Sequence, residues 1–167
     1  MVAQPLSEDA FRPYGWLLGK AGAALLFHNA DTDFWEEHIF ETDAECEAQV
    51  LRVNYRNRRR EVDSLEMHRF TQQVVIPVSG ELVQVVATSQ ADGTPDVASL
   101  RAFRVRVGEG ICMRAGCWHS TRVDDGEVRC FMLTRRSTTV DLIGYLKTGS
   151  ALRESAIAEI PTALIAF

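Results

Sequence analysis

Glu66, His68, Gln73 and His119 fall at spacings from which chemistry can be built. Residues two apart on a strand share a face, so Glu66 and His68 would project together. Imidazole titrates near neutrality and serves as acid or base. A carboxylate, an amide and two imidazoles also form a possible ligand set. The imidazoles suit Ni, Zn, Fe or Cu, while the oxygens are harder donors. A metal held by Glu66, His68, Gln73 and His119, and a metal-free acid–base site made of the same side chains, both remain open. The other two histidines, His28 and His38, lack such neighbours.

Other chemistries fail on residues. Gly108-Glu109-Gly110 lacks the third glycine of a phosphate loop. No G-x-S-x-G elbow for a serine nucleophile is present. Cys112 and Cys117 flank Gly116 at a spacing that suits no zinc site. With Cys46 and Cys130 they form no C-x-x-C pair, so free thiols are expected. The first residues, Met1-Val2-Ala3-Gln4-Pro5, show no basic-then-apolar secretory pattern, which leaves a reducing cytoplasm as the expected location. A net charge of −5 argues against nucleic acid, and no apolar run reaches the roughly 20 residues of a membrane span. The local basic run Arg56, Arg58, Arg59, Arg60 reads either as a solvated loop or as a guanidinium source for a substrate carboxylate.

The elements that must position the four polar residues are mainly strands. Leu51-Val53-Tyr55 alternates with Arg52-Asn54-Arg56, a half-buried strand. Thr71 to Val78 and Leu82 to Thr88 are β-branched runs joined by a turn at Ser79-Gly80, a hairpin. Residues 91–96 form a turn-rich connection. Phe103, Val105 and Val107 alternate with Arg104 and Arg106, and a further strand runs from about Val128 to Thr134. Ser7 can cap a short helix that Pro13 and Gly15 end, and the segment from about Thr139 to Lys147 is helical. Short strands with turns between them predict a sandwich or barrel, with residues 1–167 as one domain.

The polar residues also carry a motif pattern. Glu66-x-His68, Gln73 and Gly80 keep the spacing of the first cupin motif, in which His-x-His is followed by Glu and then Gly. Gly108, Gly116 and His119 keep the spacing of the second, with Arg114 at its proline position. The chain thus resembles the cupin superfamily. This implies a double-stranded β-helix (jelly-roll) barrel with short peripheral helices, whose interior holds these four side chains and commonly a divalent metal.

More closely, the chain resembles the bacterial ureidoglycolate lyase family, once called ureidoglycolate hydrolase. The likeness runs through Pro5-Leu6, Ala10-Phe11, Pro13-Tyr14-Gly15, Arg56, Leu65-Glu66-x-His68, Gln73, Ile76-Pro77 and Gly80-Glu81. It continues through Pro95-Asp96, Leu100-Arg101-Ala102-Phe103 and Trp118-His119. The resemblance implies a homodimeric enzyme of purine and allantoin breakdown that splits ureidoglycolate into glyoxylate and urea, with nickel ascribed to the family and Mn, Zn or Fe as alternatives. Glu66, His68, Gln73 and His119 would be its catalytic or metal-binding set. Arg56, Arg114 and Trp118 would contact substrate, with Arg104 or Arg106 as a second choice of carboxylate clamp.

The sequence also departs from the family. Met113-Arg114-Ala115 stands where a Tyr-His pair and a basic residue are usual, Ser79 replaces a Lys, and Asp31 to Trp35 lacks an Asn-Gly turn. Two other readings therefore stay open: a cupin metalloenzyme acting on another small α-hydroxy or α-keto acid, and a non-catalytic small-molecule-binding cupin.

Overall fold

The computed structural model describes residues 1–19, 23–30, 32–41 and 46–167. In chain order its elements are β1 (Ala3–Pro5), α1 (Glu8–Phe11), β2 (Gly15–Leu18), β3 (Ala24–His28), β4 (Asp33–Glu36), β5 (Ala48–Tyr55), β6 (Glu61–His68) and β7 (Gln73–Pro77). They continue with β8 (Leu82–Ala87), a single 3-10 turn, β9 (Arg101–Val105), β10 (Gly110–Met113), β11 (Trp118–Val123), β12 (Val128–Arg135), α2 (Arg136–Thr148) and β13 (Ser155–Leu164).

Two sheets carry the architecture, ordered β1-β9-β8-β11-β6-β13 and β2-β10-β7-β12-β5. Their central strands, β6-β11-β8-β9 and β5-β12-β7-β10, are antiparallel, and the chain alternates between the sheets except at β8 and β9, which follow one another in the same sheet. That is the connectivity of an eight-stranded jelly roll. The expected mainly β, cupin-like fold is what the chain adopts.

Strand alternation explains the burial. In β12, Val128, Cys130, Met132 and Thr134 are buried, while Arg129 and Phe131 are exposed. Part of the space between the sheets is filled by Val75, Leu82, Val86, Phe103, Ile111, Met113, Val123 and Val128, together with Phe11 from α1. Phe11 meets Phe103 edge to face with ring centroids 5.2 Å apart. A second cluster (Leu65, Met67, Val83, Val85, Trp118 and Ile160) takes the alternate residues of β6, β8 and β11. Burying residues of both parities on the same strands makes the six-stranded sheet a rigid wall for whatever it carries.

Several boundaries differ from the sequence reading. The strand expected from Thr71 begins at Gln73, because the Thr71 hydroxyl turns back onto the Gln72 carbonyl. The strand expected to reach Val107 stops at Val105. The helix expected at 139–147 runs from Arg136 to Thr148 and ends at Gly149 with φ 69°, a left-handed cap. Ser7 stands at the start of α1 without a side-chain capping bond. The longest strand, β13, was not anticipated. It is rich in alanine and interrupted by Pro161, and it lies at a sheet edge, bulging between Glu159 and Ala163. Asp31 of the expected turn difference lies outside the described residues.

Candidate active site

β6 and β11 run antiparallel and share one bridge, which sets His119 directly opposite Glu66. Directly opposed residues point to the same face, so carboxylate and imidazole lie side by side. His68 follows two residues along β6 on that face. Gln73 opens β7 in the opposing sheet. The entry to β11 is a turn at Gly116, whose φ of 78° favours glycine. Its N–H donates to the His68 carbonyl at 2.7 Å, which ties the two motifs together through the backbone.

These side chains border a cavity of about 500 Å³ between the sheets. Tyr55, Ser64, Thr121 and Arg122 line one end. Thr134 and α2, through Thr138, Leu142 and Ile143, line the other. The site is therefore polar in the middle, with an apolar helix face at one end.

Hydrogen bonds fix the two rings. His119 Nδ1–H donates to the Cys117 carbonyl at 3.0 Å, so Nε2 carries the free lone pair. His68 Nδ1 meets Ser155 Oγ at 3.0 Å, and its Nε2 accepts from the Gln73 amide at 3.0 Å. The two rings lie 5.1 Å apart. Burial holds His68 down at about 3, helped by the charge of His119, so it is neutral at physiological pH. Its 3.5 Å approach to Glu66 Oε1 is thus not an ion pair. Burial pushes the Glu66 carboxyl above its ordinary range, with His119 pulling in the opposite sense. Glu66 Oε1 and Thr134 Oγ1 are buried and have no hydrogen-bond partner. Both atoms border the cavity and are open to a hydrogen bond from a molecule within it.

The structure gathers Glu66, His68, Gln73 and His119 and leaves the three expected substrate contacts elsewhere. Arg56 pairs with Glu127 on the surface and lies outside the cavity. Its neighbours Arg58 and Arg59 pair with Asp125 and Asp63, which is the solvated-loop reading of that basic run. Arg104 and Arg106 both bind Glu81. Arg114 stacks 4.0 Å above the Trp16 ring and donates to the Arg12 carbonyl. Trp118, adjacent to His119 on a strand, necessarily points to the opposite face, into the second apolar cluster. Cys112 and Cys117 are buried thiols pushed up to about 12 by burial, unfit as nucleophiles or ligands.

Ser155, Tyr55, Thr134 and Arg122 escaped sequence reasoning. Ser155 opens the unrecognised β13. Thr134 and Tyr55 fall on strands the pattern shows, and nothing in that pattern prefers them to their neighbours.

A family model described as ureidoglycolate lyase matches residues 1–146. The ureidoglycolate lyase of Brucella anthropi is 31% identical over 124 residues, covering 71% of this chain and 72% of that protein. The ureidoglycolate lyase of Chelativorans sp. is 23% identical over 141 residues, covering 81% and 84%. Among solved structures, dTDP-4-dehydrorhamnose 3,5-epimerase from Elizabethkingia anophelis NUHP1 superimposes with a TM-score of 0.41 at 10% identity, covering 67% of this chain and 65% of that one.

Proposed function

Since this chain belongs to the ureidoglycolate lyase family, we propose that its cavity eliminates urea from ureidoglycolate to release glyoxylate, with Glu66 and His119 handling the protons. The observation that carries the assignment of roles is the cross-strand pairing of these two residues at the cavity.

The reacting carbon of ureidoglycolate bears a hydroxyl, a carboxylate and a urea nitrogen. A base removes the hydroxyl proton, the O–H electron pair becomes the aldehyde C=O, and the C–N pair leaves with urea. An amide-type nitrogen is a poor leaving group unless it is protonated as it departs. His119 suits the first task because its tautomer presents a bare Nε2. Glu66 suits the second, since burial raises its pKa and favours the protonated form. Neutral His68, pinned between Ser155 and Gln73, adds no positive charge beside this pair. Gln73 and Thr134 are placed to orient the urea portion through its amide groups.

A divalent metal, whether nickel or Mn, Zn or Fe, finds suitable donor types here in an unsuitable arrangement. Among the described residues no three His, Cys, Asp or Glu side chains converge on one point. The His68 Nε2 lone pair is already engaged by Gln73. No step is therefore routed through a metal. The alternative substrates, other small α-hydroxy or α-keto acids, draw no specific support from the cavity.

The partner is a small molecule, and we place two copies of the chain in a homodimer. The β3–β4 hairpin supports this, because Leu25, Leu26, Phe27, Phe34 and Trp35 are all largely exposed on it. The free thiols support a reducing cytoplasm. Among the described residues no helix is long and apolar enough to cross a membrane.

The test is to follow glyoxylate release from ureidoglycolate before and after chelation. Release persists in the chelated protein. His119→Ala and Glu66→Gln each lower kcat by roughly 10²- to 10⁴-fold, the usual range for a lost acid or base. Near wild-type rates in either variant would remove that residue from the mechanism.

A further inference from the structure

The geometry points to Arg122 as the residue that binds the substrate carboxylate, an assignment that rests on the lyase reading of the same cavity. Arg122 follows His119 by three positions, so strand alternation starts its side chain on the Trp118 face of β11. Past the Glu66–His119 bridge β6 and β11 share no further register pair. The guanidinium enters that gap. Nε donates to the Arg59 carbonyl at 3.0 Å, Nη2 to the Glu61 carbonyl at 3.1 Å, and Nη1 to Ser120 Oγ at 2.6 Å and the Thr121 carbonyl at 3.1 Å. From there it borders the cavity beside Ser64 and Thr121.

Every one of those acceptors is neutral. The residue is only 4% exposed, yet among the described residues no carboxylate forms an ion pair with it. Of the two carboxylates that act on it without contact, Asp63 and Glu61, Asp63 is paired with Arg59. A buried cation whose hydrogen bonds all go to neutral acceptors, with Asp63 and Glu61 acting on it only without contact, costs stability, and an anionic ligand in direct contact relieves that cost. A guanidinium has five N–H donors and four are committed, which leaves one N–H and an uncompensated charge for a ligand oxygen. The four existing bonds hold the group in place, so little rotamer entropy is lost on binding. The arginines named from the sequence as carboxylate clamps are engaged elsewhere, by Glu127, Asp125, Asp63, Glu81 or the rings of Trp16 and Phe167.

The arrangement also orients the substrate. Along β11 the order is Arg122 and Thr121, then His119, and beyond His119 come His68, Gln73 and Thr134 of the cavity. A carboxylate toward Arg122 puts the adjacent hydroxyl-bearing carbon toward His119 and Glu66. The urea portion then extends to Gln73 and Thr134. The opposite placement would bring an anion to the raised-pKa carboxyl and waste the cation.

The competing account is that Arg122 merely braces the gap between β6 and β11. Inhibition by the two products separates these accounts, because glyoxylate carries the carboxylate and urea does not. Arg122→Gln is expected to weaken glyoxylate inhibition and raise KM for ureidoglycolate roughly tenfold or more, leaving urea inhibition unchanged, with Arg122→Lys in between. Unchanged glyoxylate inhibition overturns the proposal, as does equal loss of glyoxylate and urea inhibition accompanied by a large fall in Tm. The unmodified protein gives a second measurement should the variant fail to fold: calorimetric binding of glycolate against its neutral isostere glycolamide. Tighter glycolate binding supports the anchor, and equal binding of the two overturns it. Glycolate binding without glyoxylate release from ureidoglycolate would keep the anchor and reject the lyase reading.

Discussion

Glu66 and His68 were legible as a same-face pair because a strand alternates every second residue, and that rule needs no tertiary knowledge. What it could not reveal is that His119 pairs with Glu66 rather than His68, since register is a property of two strands. Nor could alternation find Arg122, whose parity points it away from the cavity until the gap beside the Glu66–His119 bridge turns it inward. The residue scale also carries a pH prediction. The folded pKa of His68 is about 3 against an ordinary value of 6.5, so between those pH values the unfolded chain takes up a proton that the folded one refuses. Stability contributed by His68 is complete above pH 6.5 and lost as pH falls toward 3. Glu66, raised from 4.5, acts in the opposite sense, its contribution fading as pH rises through its folded pKa. Thermal unfolding followed from pH 7.5 to 4 should show Tm falling through that window, and His68→Gln should flatten the fall. A variant with the wild-type slope would show that His68 is not the titrating group.

Element types read well where alternation was regular, as in β5 and β9, or where a β-branched run was unbroken, as in β8, and badly where packing decides. The ten residues of β13 carry too much alanine and a proline to announce a strand, yet they pair with β6 and deliver Ser155 to His68. The helical pattern of α2 carries no sign of a role, yet the helix borders the cavity. The two are joined by Asp141 of α2, whose carboxylate accepts from the backbone N–H groups of Arg153, Glu154 and Ser155. These bonds, and the adjacent Arg153, hold that carboxyl below its usual range despite some desolvation. Asp141→Ala should cost about 1 kcal/mol, discounted for the solvent around the group. Because Ser155 is one of the three anchored residues, the variant should also slow turnover several-fold. Melting curves and kcat measured together check this. A Tm loss with unaltered kcat would confine Asp141 to holding the helix.

At the scale of the whole molecule, the jelly roll was legible because two motif spacings marked the three strands that bear the site, β6, β7 and β11. The β3–β4 hairpin was not, and among the described residues these two strands form a sheet of their own. Its exposed Phe27, Phe34 and Trp35 are where the second copy is expected to dock. Trp35→Glu together with Phe27→Glu should convert a dimer to a monomer in sedimentation velocity while glyoxylate release per chain is retained. A dimer that survives both changes would place the interface elsewhere. The single bridge between β6 and β11 bears on how such a protein changes over time. It joins β6 and β13 to the rest of the six-stranded sheet and is also where carboxylate meets imidazole, so a slip of one residue would send one member of the pair to the opposite face. Substitutions that loosen this seam would be felt as lost chemistry before they are felt as lost fold, and selection on the reaction thereby polices the pairing of the strands.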